Sequence, residues 1–262
     1  MIPVALTIAG SDPSGGAGLQ ADLKTFHQFG VYGEAVVTLI TAQNTRCVYL
    51  VDPLPANLVI RQLRAVLEDI PPAAAKTGAL GNAELVQAIA EASADFQFPL
   101  VVDPVMISKH GVRLLSEEGT CAIVERLIPR AFLLMPNLQE ASALTARVIE
   151  NLEDMREAAR VLHQMGAQAV LIKGGHLPDT ATDLLFTGEN WHEFPAPHIQ
   201  TRHTHGTGCT FSAAITAQLA AGVPLETAVA RAKRFITEAI ASSPGLGGGA
   251  GPVNHHARPE DK

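Results

Sequence analysis

The sequence predicts an α/β fold: a central, mostly parallel sheet flanked by helices on both faces. Three observations predict it. Short aliphatic runs alternate with amphipathic stretches along the whole chain. Repeated βα units favour parallel strands joined by right-handed crossovers. Finally, the unusual polar residues Asp103, Asn137 and Lys173, with Gly174 and Gly175, fall at the C-terminal ends of expected strands, the rim where open α/β sheets bind ligands.

The elements follow in order. Residues 4–9 make the first strand, and Leu19, Leu23 and Phe26 mark one face of a helix that stops near Gly30. A second strand covers residues 35–41. Leu58, Leu63, Val66, Leu67 and Ile70 give the next helical face, and Asn82 caps a helix reaching Ile89. Residues 100–103, 132–135 and 170–173 are short apolar strands, separated by helices near residues 121–127 and 155–165. Residues 183–186 and 191–194 read as a hairpin around Gly188-Glu189-Asn190. Helices at 209–221 and 225–241 close the pattern, and the Gly-rich stretch 245–251 opens a tail that composition alone marks as flexible. No Pro/Ser-rich linker divides residues 1–262, so a single domain is expected.

Composition narrows the function. With 19 Lys+Arg against 26 Asp+Glu the net charge is −7, which argues against nucleic-acid binding. The apolar start lacks a basic flank and reads as a strand, not a signal peptide. No apolar run reaches the ~18 residues that span a bilayer, so a cytoplasmic protein is expected. Three separated cysteines, Cys47, Cys121 and Cys209, form neither a disulfide framework nor a zinc knuckle.

The sharpest motif is His205-Gly206-Thr207-Gly208-Cys209-Thr210, which opens an apolar helix. Its glycines let backbone N–H groups converge, and a helix N-terminus favours a phosphate or a developing anion. A plain Gly-rich loop entering a core helix suits the fragment equally well. Cys209 falls in the first turn, where a thiol pKa is lowered, so it is a candidate base or nucleophile; a packed, inert cysteine is the alternative. Asp103, and Glu140 three residues after Asn137, supply the hard oxygens and few carboxylates that magnesium takes, though each acid taken singly also suits a solvated or helix-end charge. Lys173 would place an ammonium beside phosphates or simply reach water. Gly16-Ala17-Gly18-Leu19-Gln20-Ala21 fits a dinucleotide pattern, but no acid for a ribose ends the second strand. His198, His203 and His205 lack a strong ligand spacing and read as solvated.

Taken together, these motifs resemble the bacterial hydroxymethylpyrimidine/phosphomethylpyrimidine kinases of thiamine biosynthesis. The residues that carry the resemblance are Ala9-Gly10-Ser11-Asp12, Gly15 to Asp22, Thr41-Ala42-Gln43-Asn44-Thr45, Lys76-Thr77-Gly78, Asp103-Pro104-Val105-Met106, Pro136-Asn137-Leu138-Gln139-Glu140-Ala141, Lys173-Gly174-Gly175-His176 and the 205–210 motif. The resemblance implies a ribokinase-like fold, a cytoplasmic homodimer, ATP with Mg²⁺, and two successive phosphorylations. It assigns Gly206, Thr207, Gly208 and Cys209 to an anion hole with Cys209 as catalytic base. It assigns Gln43, with Asp22, Gly10, Val105 and Ala79, to the pyrimidine pocket. Asp103, Asn137 and Glu140 fall to the metal and phosphate surroundings, and Lys173 and Lys233 to the nucleotide phosphates. An amide such as Gln43 donates and accepts, as the edge of a 4-aminopyrimidine requires.

Ala79 stands where the family usually has Met, which implies a roomier pocket. A pyridoxal-phosphorylating branch uses a lid cysteine where this chain has Ser108, so that rival is disfavoured. A nicotinamide oxidoreductase and a Cys209-dependent hydrolase paired with His205 are the remote alternatives.

Overall fold

The central strands are mostly aliphatic because helices cover both faces of the sheet. The computed structural model describes residues 2–175 and 181–259. Its strands are β1 (Val4–Ser11), β2 (Tyr32–Gln43), β3 (Val48–Pro53), β4 (Ala74–Thr77), β5 (Leu100–Val102), β6 (Leu133–Leu134), β7 (Ala169–Ile172), β8 (Asp183–Phe186) and β9 (Trp191–Phe194). They form one sheet in the order β3-β2-β1-β4-β5-β6-β7-β8-β9. The pairs from β2 to β7 are parallel. Three antiparallel pairs, β2–β3, β7–β8 and β8–β9, finish the two edges.

The helices are α1 (Gly18–Gln28), α2 (Ala56–Asp69), α3 (Ala83–Ala92), α4 (Glu117–Ala122), α5 (Leu138–Thr145), α6 (Leu152–Gln164), α7 (Thr207–Ala220) and α8 (Leu225–Ala241). One face of the sheet packs on α2, α3, α5 and α6 through Val59, Leu63, Leu85, Ile89, Leu144 and Leu162. The other packs on α7 and α8 through Phe211, Ile215, Val229 and Phe235, and on α1 through Phe26. Helix α7 is built from small and apolar residues and is buried on nearly every side, as a helix without a polar face must be. Its N-terminus is therefore held fixed.

Three expectations need correction. Strand β4 goes unread because its sequence is Ala-Ala-Lys-Thr, with a lysine at the centre of the sheet. Strand β3 goes unread because it is an edge strand whose Tyr49 and Leu50 are exposed, so its pattern does not alternate cleanly. The Gly-rich stretch 245–251 is a packed strap. Cβ atoms on Gly247, Gly248 and Gly249 would overlap Thr45 and Arg46 in the turn after β2, and Gly249 N–H donates to Thr45 Oγ1 at 3.3 Å. Beyond it, Val253 and Ala257 enter the core.

Candidate active site

The chain order places the candidate residues along one rim. Ser11 ends β1, Gln43 ends β2, Gly78 and Ala79 follow β4, Asp103 and Val105 follow β5, Asn137 follows β6 and Lys173 follows β7. Asn137 and Lys173 are bridged in parallel fashion, which extends the β6–β7 pairing by one step.

Lys173 Nζ donates to Asp103 Oδ1 at 2.7 Å and lies 3.8 Å from Glu140 Oε2. Burial lowers the ammonium's pKa, but Asp103 and Glu140 outweigh it and hold Lys173 above its ordinary range. Asn137 and Glu140 form a capping box on α5: Glu140 N–H donates to Asn137 Oδ1 at 2.9 Å, and Asn137 N–H to Glu140 Oε2 at 2.8 Å. Burial, with Asp103 adding to it, pushes Glu140 up to about 7 against the pull of Lys173 and the Asn137 amide.

Helix α7 brings the 205–210 motif to this cluster. A Cβ on Gly208 would stand 3.6 Å from both Asp103 Oδ2 and Lys173 Nζ, so the first turn of α7 opens directly onto the Lys/Asp pair. Gly206 has φ +78°, and a side chain there would overlap the Gly16 carbonyl. Only glycine allows that approach. Ser212, one turn into α7, donates to Asp103 Oδ2 at 3.3 Å.

Cys209 reverses the expectation of a lowered pKa. Burial pushes its thiol up to about 12, Asp22 and Asp103 add to this, and neither Lys76 nor the Gly18 backbone N–H that donates to the sulfur compensates. At neutral pH it is a protonated thiol.

Four other residues sit differently from their expected places. Asp22 does not line an open pocket: it is fully buried, accepting from Lys76 Nζ at 2.7 Å and Thr7 Oγ1 at 2.6 Å. Lys233 is tied to Asp183 Oδ2 and the Ala181 carbonyl, both at 2.7 Å, and Asp183 in turn accepts from Gly174 N–H at 2.9 Å. Lys233 thus reaches Gly174, next to Lys173, through Asp183 instead of presenting a free ammonium. His205 is not solvated: it is 4% exposed and its Nε2 lies 2.8 Å from Asp12 Oδ2. Gly10 turns its Cβ position onto the Leu39 side chain. His176 lies outside the described residues.

The remaining pocket candidates are Gln43, Ala79 and Val105. The Gln43 amide has no side-chain partner among the described residues; Ala79 and Val105 are half-buried on the same rim, with β1 standing between the ends of β2 and β4. A cleft of about 660 Å³ lined by Pro195, Lys233, Thr237, Asn254 and Arg258 includes none of Gln43, Asp103, Lys173 or Cys209.

The Gly16 to Ala21 pattern is not a dinucleotide cradle. Asp12 accepts from the backbone N–H groups of Ser14 and Ala17, both at 2.8 Å, and so consumes donors that a phosphate would need. Burial would raise the Asp12 carboxyl, yet His205 and Ser14 pull it down to about 2. Against a Cys–His hydrolase pair stand the lack of a His205–Cys209 hydrogen bond among the described residues and the raised pKa of the Cys209 thiol.

Sequence reasoning missed Lys76, Ser212 and the Asp12–His205 contact. For Lys76 the available signal was a cation inside an apolar Ala-Ala-x-Thr-Gly run, which a core strand tolerates only with a buried partner.

A parallel sheet with this rim and a buried helix aimed at a Lys/Asp pair defines the ribokinase-like class of α/β kinases. Residues 12–254 match the phosphomethylpyrimidine kinase family. The hydroxymethylpyrimidine/phosphomethylpyrimidine kinase of Bacillus subtilis is 48% identical over 256 residues, covering 97% of this chain and 94% of the relative. Among solved structures, an ADP complex of Bacillus subtilis pyridoxal kinase superposes with a TM-score of 0.90 at 40% identity, covering 98% of each chain. The phosphomethylpyrimidine kinase of Clostridium difficile superposes with a TM-score of 0.81 at 44% identity, covering 91% of this chain and 99% of the other. The chain belongs to the phosphomethylpyrimidine kinase family.

Proposed function

We propose that the protein transfers the γ-phosphoryl group of ATP to the hydroxymethyl oxygen of 4-amino-5-hydroxymethyl-2-methylpyrimidine, and then a second one to the resulting monophosphate, as a step of thiamine biosynthesis. The observation that carries this reading is the approach of Gly208 to Asp103 and Lys173, which sets the α7 amides beside the rim ammonium. Phosphoryl transfer asks mainly for alignment and charge neutralisation. The N–H groups of the first turn of α7 and Lys173 supply both, while the Gln43 amide, without a side-chain partner among the described residues, is suited to reading the aminopyrimidine edge.

Asp103 and Glu140 fit a magnesium ion carried in with the nucleotide, because such an ion takes one or two protein carboxylates and completes its shell with phosphate and water. Bound there, the ion would neutralise phosphate charge. Among the described residues no group of three His, Cys, Asp or Glu side chains forms a cage for a metal by itself. A homodimer working in the cytoplasm is part of the proposal. The homodimer is supported by the exposed apolar Ile40 and Leu50 on the β2–β3 edge.

A pyridoxal kinase is the second reading, favoured by the 0.90 superposition on such an enzyme. Against it stands Ser108, whose hydroxyl accepts from Val112 N–H at 3.0 Å and so serves the lid turn. Phosphorus NMR of a reaction with the pyrimidine alcohol tests the proposal. A monoester signal followed by a diphosphate signal is expected, and ATP left unchanged would refute it.

A further inference from the structure

We propose that His110 and His205 form a second anion position, which grips the phosphate already present on the acceptor during the second transfer. This rests on the reading that the monophosphate is a substrate. The two rings lie with centroids 6.0 Å apart. His110 Nε2 and His205 Nδ1 are both buried and have no hydrogen-bond partner. His205 is 4% exposed, and its other nitrogen is fixed by Asp12 at 2.8 Å, so the ring cannot turn Nδ1 elsewhere without losing that contact. Buried polar atoms are nearly always paired, and an unpaired one marks a place for a ligand or water.

The position suits the chemistry. His205 directly precedes the α7 turn, and its ring lies against Gly16. His110 sits at the tip of a short lid after β5, which is held by Leu114 N–H to the Met106 carbonyl at 2.8 Å and Gly111 N–H to the Ser108 carbonyl at 3.0 Å. The lid therefore meets the protein beside the anion hole. The alcohol acceptor brings no charge, whereas its monophosphate, with a second pKa of about 6, arrives largely as a dianion. Lys173 and the α7 amides serve the travelling group, so the acceptor's own phosphate needs other donors. His110 can donate from Nε2, and His205, whose Nε2–H is given to Asp12, donates from Nδ1 as the imidazolium, its positive charge set between the Asp12 carboxylate and the arriving phosphate.

In this second transfer an ionised oxygen of the acceptor phosphate attacks Pγ. The new O–Pγ bond forms as the bond from Pγ to the β-bridging oxygen breaks, and ADP leaves with that electron pair. The imidazoles hold only the non-attacking oxygens, and no proton has to be removed.

The test compares wild type and His110→Ala by ATP consumption with each pyrimidine acceptor, and by calorimetric titration of the monophosphate without nucleotide. The lid tip lies outside the hydrophobic core, and a melting curve checks that the variant folds. We expect KM for the monophosphate to rise at least tenfold, its direct binding to weaken in parallel, and KM for the alcohol to change less than twofold. Equal changes for both acceptors, or none, overturn the proposal. Wild type that uses neither acceptor would instead overturn the functional reading itself.

Discussion

Lys76 Nζ donates to Asp22 Oδ1 at 2.7 Å with neither side chain exposed, and both charges act on the Cys209 sulfur, the lysine lowering its pKa and the aspartate raising it. Burial drives the Asp22 carboxyl up, while the carboxylate holds Lys76 above its usual range against the lysine's own burial. The pair joins α1 to β4 close to Cys209 in the first turn of α7. Its partners are 54 residues apart in sequence.

Removing one member should therefore be costly. Lys76→Met leaves a buried carboxylate without its cation, and the expected loss is about 3–5 kcal/mol of stability. The double variant Asp22→Asn with Lys76→Met should recover much of it. Urea unfolding of the three proteins checks this; a single variant as stable as wild type would contradict it.

Cys209, held at about 12, should behave as an unreactive thiol. At pH 8 its thiolate fraction is about a thousandfold below that of an ordinary cysteine. Iodoacetamide should label the exposed Cys121 long before Cys209. If the thiolate is the base for the alcohol, the rate with that acceptor climbs about tenfold per pH unit below 12, while the ionised monophosphate needs no base. Cys209→Ala should then slow the first step more than the second. Equal losses on the two acceptors would count against a base role.

Gly206→Ala tests the proposed anion hole through the backbone. The added methyl would overlap the Gly16 carbonyl and occupy a φ of +78°, so α7 must shift at its start. Turnover should fall at least a hundredfold, because small misplacements of aligned groups cost that much. Circular dichroism should stay near that of wild type, since the remainder of α7 keeps its packing.

Asp12 gives the pH dependence of stability. Its carboxyl is lowered from 3.8 to about 2. A depressed folded-state pKa adds stability above the unfolded value and loses it as pH falls through the folded one. The contribution, about 2 kcal/mol, should be complete above pH 4 and fade between pH 4 and 2. Denaturant midpoints of wild type and Asp12→Asn should converge across that window. A constant gap would contradict the assignment.

Much of this was legible in the sequence because punctuation and polarity fall at strand ends. Asp103, Asn137 and Lys173 stand out at the ends of apolar runs, and His205 to Thr210 announce a helix start. What escaped depends on long-range pairing. Lys76 hides β4 because its partner Asp22 lies in another element, and His205 looks solvated until Asp12, 193 residues away, is placed against it. The Cys209 pKa likewise follows from burial and from Asp22 and Asp103, whereas local sequence shows only the helix start. The Gly-rich strap has the composition of a tail, yet glycine is what lets it lie against Thr45 and Arg46.

The most direct test of the account is ATP consumption measured side by side with hydroxymethylpyrimidine, its monophosphate and pyridoxal. Turnover of both pyrimidines, with pyridoxal far behind, is the predicted result. Efficient use of pyridoxal with neither pyrimidine consumed would contradict it.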